Sequence, residues 1–173
     1  EGYFQSYKYF DDIRNDILEL FSFNEKTIEN CKKLLIYKET VSIHIRRGDY
    51  LNSNTYTIYT PEFIKKCMKY FCEKINNPTF IIFSDDLQWC KENISQLSQV
   101  VFSPFSNPVE DLCCMSLCNH NIIAPSSFSW WGSYLNKNPD KIKDIQKGIC
   151  WYTCSLANSF SNCTSFFNDF NVS

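Results

Sequence analysis

The stretch that most constrains the fold is Val41 to Tyr50, VSIHIRRGDY. Val41, Ile43 and Ile45 alternate with Ser42, His44 and Arg46, the two-residue period of a β-strand. The run then passes abruptly into Arg46, Arg47, Gly48 and Asp49. In open α/β sheets the ligand crevice lies beyond the carboxyl ends of the strands. Two arginines at such an end suit a phosphorylated ligand, because the planar guanidinium fork matches phosphate oxygens and stays charged at ordinary pH. The same residues also fit a plainer use, in which both arginines pair with surface carboxylates and Gly48-Asp49 forms a turn.

The rest of the chain supplies the partners such a strand needs. Amphipathic helices are predicted over Asp11 to Phe21, with Ile13, Ile17, Leu18 and Phe21 inward, and over Glu25 to Tyr37, with Ile28, Cys31, Leu35 and Ile36 inward. After a polar loop from Asn52 to Tyr59, Thr60-Pro61-Glu62 combines a capping hydroxyl, a proline at the first helical position and an acid in the first turn. That helix runs to about Ile75 on Phe63, Cys67, Tyr70, Phe71 and Lys74. Thr79 to Phe83 is an apolar run of strand length that stops in Ser84-Asp85-Asp86. A short helix over Leu87 to Ile94, a strand over Val100 to Phe102 and a helix over Pro108 to Cys118, opened by Asn107, follow. A strand over His120 to Ala124 then leads through Ser126-Ser127 into a helix with Phe128, Trp131, Tyr134 and Leu135 inward. Strand and helix alternate with short connections, which means an α/β fold: a Rossmann-like parallel sheet with flanking helices.

Composition sets the outer bounds. A chain of 173 residues, 44% hydrophobic and 21% charged, is a globular protein large enough for one ordinary core. Its net charge of −2 gives no broad basic field, which argues against nucleic-acid binding. No apolar run approaches the ~18 residues of a membrane span. Residue 1 is Glu, so a leader or anchor upstream stays open. The ordered pattern predicts a domain over residues 1–147. An irregular tail rich in Cys, Ser and Phe follows over 148–173. Of the ten cysteines, Cys67, Cys72, Cys113, Cys114 and Cys118 sit at core-like helical positions and read as small hydrophobes. Cys150, Cys154 and Cys163 make only a weak zinc pattern, without a CxxC pair. The sequons at Asn93, Asn162 and Asn171 are about what chance gives in so Asn- and Ser-rich a chain.

Three strands therefore end in polar groups: His44, Arg46, Arg47 and Asp49; Ser84, Asp85 and Asp86; Ser126 and Ser127. Parallel strands place these ends along one sheet edge, where they make a nucleotide site. Ser126 or Ser127 opens a helix whose free N–H groups favour an anion, and Arg46 would hold the pyrophosphate from the other side. The Asp85 carboxylate can accept two N–H donors from a guanine edge, whereas Asp86 reads as the cap of the next helix. A Mg²⁺ role for the pair ranks below that cap, since no third carboxylate or Walker-type loop accompanies it. His120 reads as a locally bonded structural residue, and Trp130 and Trp131 as core packing rather than base stacking. Arg47-Gly48-Asp49 spells an integrin-type tripeptide, discounted because it follows directly on a buried strand.

HIRRGDY at His44–Tyr50, FSDD with WC at Phe83–Cys90, and MSLCNHNIIAPSSFSWWGSYLN at Met115–Asn136 together resemble the α-1,2-fucosyltransferases of glycosyltransferase family 11. The opening GYFQSYKYF is similar to bacterial and virus-like members, and the resemblance runs from Gly2 to about Asn136. It implies the C-terminal, donor-binding half of a GT-B-like enzyme and metal-independent, inverting transfer of fucose from GDP-fucose to a galactose-terminated glycan. No cofactor is implied, nor any membrane span within the chain. By the same likeness Arg46 would be catalytic and hold the β-phosphate, with His44 beside it. Asp85 would read guanine, and Ser126, Ser127 and Phe128 would cover the diphosphate. The expected compartment is the cytoplasm, the alternative being the Golgi lumen with an anchor upstream. The chain departs from the family in lacking a GGLGNQ-type segment, in carrying Pro125 where an asparagine usually stands, and in its tail. A catalytically inactive relic, or a module binding GDP-sugar or glycan, is therefore the alternative to a transferase.

Overall fold

The computed structural model of the protein describes residues 9–52, 58–95 and 99–142. Within them β1 (Thr40–Ile45), β2 (Thr79–Ser84), β3 (Val100–Phe102) and β4 (His120–Ile122) form one sheet in the order β3-β2-β1-β4, every pair parallel. From β1 the chain steps outward to β2 and β3, then returns to place β4 on the other side of β1. The strand order thus reverses at β1, and in sheets of this kind the crevice opens where the order reverses. Helices α3 (Pro61–Lys74), α4 (Leu87–Ile94) and α5 (Pro108–Leu117) make the three crossovers, and α6 (Ser127–Leu135) leaves β4. Ahead of the sheet lie α1 (Arg14–Leu20) and α2 (Glu25–Leu34).

The sheet is covered on both faces, so every residue of β1 is buried, including the polar ones. Val41, Ile43, Ile45, Phe80 and Ile82 pack with Ile64, Cys67, Met68 and Phe71 of α3 and with Cys90 and Ile94 of α4. Ile81 and Phe83 pack on the opposite face with Cys31, Cys113, Cys114, Met115 and Cys118. The buried polar side chains of β1 find partners. Thr40 donates to Asn119 Oδ1 at 2.7 Å, and Ser42 Oγ accepts from Asn121 Nδ2 at 2.8 Å. His44 is the exception, its Nδ1 buried without a hydrogen-bond partner among the described residues.

The helix starts follow the sequence. Thr60 Oγ1 accepts from the Phe63 N–H, Asp86 Oδ1 from the Trp89 N–H and Asn107 Oδ1 from the Val109 N–H. Several predicted inward faces are corrected. Helix α1 buries no residue, and Ile13 and Phe21 are exposed, because among the described residues their stripe meets only the rim of α6, where Phe21 stacks on Trp131 at 4.7 Å. Ile36 lies beyond the end of α2 and is 76% exposed. On α3 the deepest line is Ile64, Cys67, Met68 and Phe71, which leaves Cys72 and Lys74 exposed and Phe63 and Tyr70 half-buried. On α6 the buried residues are Ser129, Gly132 and Leu135, with Phe128, Trp131 and Tyr134 half-buried. Close approach to α5 explains this: a Cβ on Gly132 would press on Met115. Trp130 packs against the core as the sequence expects, whereas Trp131 is half-buried on the rim, stacked on Phe10 and Phe21. Burial pushes the Cys67 thiol up to about 12, as befits an inert hydrophobe. The expected boundary at residue 147, the tail, residues 1–8, the loop residues 53–57 and the cysteines at 150, 154 and 163 lie outside the described residues.

An amide network closes the end of the sheet away from the crevice. Asn136 is 2% exposed and its Nδ2 donates to the Cys118 carbonyl at 2.7 Å and to Asn121 Oδ1 at 2.8 Å, while its Oδ1 accepts from the Asn138 N–H. Replacing Asn136 by alanine leaves two acceptors and one donor there without a partner. The expected loss is about 2 kcal/mol, read from chemical denaturation at constant m-value.

Candidate functional site

Past Ile45 the chain leaves the sheet edge, and its two arginines part company. Arg47 turns back: its guanidinium lies 3.7 Å from the Trp89 ring centroid, its Nε donates to Asp86 Oδ2 at 3.2 Å, and its side chain is only 13% exposed. Arg46 stays at the crevice, 34% exposed, with Nη1 2.9 Å from Asp85 Oδ2 and Nη2 2.5 Å from Asp49 Oδ1. Asp85 is held in turn, its Oδ1 accepting from the Arg47 N–H at 2.9 Å. Gly48 permits this closure, since a Cβ there would collide with Asp85 Oδ2. Both Asp85 oxygens are thus engaged within the protein, and Asp86 caps α4 as expected. Because Arg47 is locked against Trp89, the Arg47-Gly48-Asp49 tripeptide does not present its guanidinium, although Gly48 and Asp49 are exposed.

His44 precedes this turn on the face shared with α6, its ring 5.5 Å from that of Phe128. Burial, reinforced by the Arg46 charge, lowers its pKa to about 4, so the imidazole is neutral at physiological pH. Across the crevice, Ser126 is the N-cap of α6 but makes no side-chain capping hydrogen bond. Ser126 itself is buried, Ser127 exposed and Phe128 half-buried. Ser126 thus leaves the first-turn N–H groups of α6 uncapped by its own side chain, the condition under which a helix terminus favours an anion.

Two tyrosines from the segment after β1 tie the walls together. Tyr59 donates to the Ile123 carbonyl at 2.7 Å and Tyr50 to the Pro125 carbonyl at 2.8 Å. The β1–β4 ladder ends at Ile43 opposite Ile122, so these hydroxyls serve carbonyls that lie beyond the last strand pair. Arg46 also lies 5.6 Å from the Tyr50 ring centroid. Through these contacts His44, Arg46, Asp85, Ser126, Ser127 and Phe128 gather at one edge, around the point where the strand order reverses.

Asp111, in the first turn of α5, was not singled out by the sequence. It accepts from Ser103 Oγ at 2.5 Å, just past β3, and burial raises its pKa to about 6. An acid in a first turn looks like a macrodipole partner, and nothing in the local pattern marks it as half-buried. Tyr50 was equally silent, because its role depends on β4 folding back beside β1. His120 behaves as the sequence suggests, its Nδ1 accepting from the Ile142 N–H at 3.1 Å with Glu39 3.8 Å from Nε2. Among the described residues no group of three His, Cys, Asp or Glu is arranged to hold a metal ion.

Comparison with known proteins gives this geometry a context. The family model "Glycosyl transferase family 11" matches residues 1–149. An Escherichia coli O-antigen biosynthesis glycosyltransferase, WbnK, is 35% identical over 82% of this chain and 51% of its own length. An E. coli alpha-1,2-colitosyltransferase is 30% identical over 94% of the chain and 59% of its own length. Galactoside alpha-(1,2)-fucosyltransferase 2 of Pongo pygmaeus is 27% identical over 78% of the chain and 44% of its own length. The chain thus spans about half the length of the curated relatives it matches. No solved structure matches.

Proposed function

Since the chain belongs to glycosyl transferase family 11, we propose that its carboxyl-edge crevice binds GDP-fucose as the donor portion of a galactoside α-1,2-fucosyltransferase. The observation that carries this reading is the position of Arg46, a half-exposed guanidinium at the reversal point between β1 and β4. As the glycosidic bond breaks, the departing GDP gains negative charge. A guanidinium already in place lowers that barrier, and the open first turn of α6 adds a second donor set on the facing wall. His44, neutral at physiological pH, contributes hydrogen bonding rather than charge. Asp85 already accepts from Arg46 on one oxygen and from the Arg47 N–H on the other, which fixes its carboxylate and leaves each oxygen a further lone pair for a guanine edge. Inversion requires the acceptor hydroxyl to attack the face opposite GDP.

The relatives are named for fucose and for colitose transfer, so the decisive assay offers both GDP-sugars. Calorimetric titration with GDP, UDP and ADP should show binding of GDP alone, and incubation with lactose should yield a fucosylated product in preference to a colitosylated one. Equal binding of the three nucleotides, or none, sinks the reading. GDP binding without transfer would favour the donor-binding module, a reading that the half-length match to the relatives keeps in view. The compartment we propose is the cytoplasm. The seven described cysteines are free thiols, which suits a reducing environment. No helix among the described residues is long and apolar enough to cross a membrane.

A further inference from the structure

The Arg46 guanidinium carries five N–H donors, and two of its nitrogens are already spoken for inside the protein. Nη1 meets Asp85 Oδ2 at 2.9 Å and Nη2 meets Asp49 Oδ1 at 2.5 Å. Asp85 is a fixed point, because the Arg47 N–H holds its other oxygen and Gly48 lets it sit against the backbone. Asp49 belongs to the 3-10 turn Gly48–Asn52 and its side chain is 68% exposed. Exposed ion pairs contribute little to stability, so the Asp49 carboxylate does little for the fold itself.

We propose that Asp49 is a positioning residue for the phosphate grip: with Asp85 it holds the Arg46 guanidinium at two points, so that the remaining N–H groups face the diphosphate. This rests on the GDP reading of the crevice and deepens it. A free arginine side chain samples many rotamers and loses that freedom when it grips a ligand. A side chain already held in place loses little, and the saving appears as affinity. The two-point hold spends two N–H groups and leaves three, enough for a fork on phosphate oxygens. Loss of Asp49 should therefore weaken the hold on the terminal phosphate and leave guanine, ribose and the inner phosphate untouched.

The test compares GDP with GMP by calorimetry on the whole chain. Asp49→Ala should lower GDP affinity on the order of tenfold and leave GMP affinity unchanged, so the GDP-to-GMP ratio falls while the melting temperature holds. Asp49→Asn, whose amide oxygen still accepts from Nη2, should keep most of the ratio. In an Arg46→Ala background Asp49→Ala should cost nothing more. A ratio unmoved by Asp49→Ala, or a gain in GDP affinity as expected of a merely competing anion, overturns the proposal while the GDP reading stands. Equal losses for GDP and GMP also overturn it, since they would mark a structural role. A wild-type chain that binds neither nucleotide removes the GDP reading and this proposal with it.

Discussion

Arg46→Ala is expected to weaken GDP binding a hundredfold or more, about 2.7 kcal/mol, and to leave the melting temperature within a few degrees of wild type. The two halves of that expectation have different sources. Binding suffers because the only half-exposed guanidinium described at the reversal point disappears, and charge-assisted bonds to phosphate are among the strongest polar contacts available. Asp49 and Asp85 would then face the incoming anion without their shared cation. Stability survives because Arg46 is part-exposed and its ion pairs are open to solvent screening. Calorimetry with GDP beside a thermal melt checks both at once. A variant that binds GDP like wild type removes Arg46 from the site, and one that fails to fold shows that its role is architectural.

The second large effect is a response to acid built from two opposed groups. His44 titrates near 4 in the folded chain instead of 6.5, chiefly because burial disfavours its charged form and secondly because Arg46 repels it. The unfolded chain therefore takes up a proton that the folded chain refuses. The contribution of this group is complete above about pH 6.5 and is lost as pH falls toward 4, on the order of 3 kcal/mol in total. Asp111 has the opposite sign. Burial raises it to about 6 from 3.8, so its contribution is complete below pH 3.8 and is lost as pH rises through 6. Between pH 4 and 6.5 the two slopes oppose each other, and His120, whose pKa burial also lowers, adds to the His44 side. As the pH is lowered through that window, His44→Gln should lose less melting temperature than wild type. Asp111→Asn should lose more. Identical pH profiles for His44→Gln and wild type would show that the imidazole is not buried as a neutral group.

What the sequence disclosed divides along a physical line. Elements set by local chemistry were legible: the strand period of Val41 to Ile45, the Thr60-Pro61 start of α3, the Asp86 and Asn107 caps, the serine opening of α6. The polar strand ends were legible for the same reason, since Arg46, Asp85 and Ser126 each follow an apolar run in the chain. Which face of a helix is deepest was not, because it depends on what the helix meets. Helix α1 has a clean apolar stripe that, among the described residues, meets only the rim of α6, and α6 turns Gly132 rather than its aromatics toward α5. The separation of Arg46 from Arg47 was equally hidden: it depends on Trp89 and Asp86, which arrive from the next strand and helix. The two arginines look interchangeable in HIRRGDY, yet one lies on an indole and the other waits at the crevice.

The placement of β4 has a consequence for the order of events during synthesis. Val41 pairs with Phe80 on one flank and with His120 on the other, so a chain emerging from the ribosome can join its first two strands long before the last one exists. Contacts that close the longer loop form against the greater entropy. The carbonyls that Tyr50 and Tyr59 reach, and the Phe128 ring beside His44, come with that final strand and the helix after it. If the crevice binds GDP as proposed, a nascent chain has no grip on a diphosphate until α6 has cleared the exit tunnel, and GDP added to a refolding mixture should hold only finished molecules.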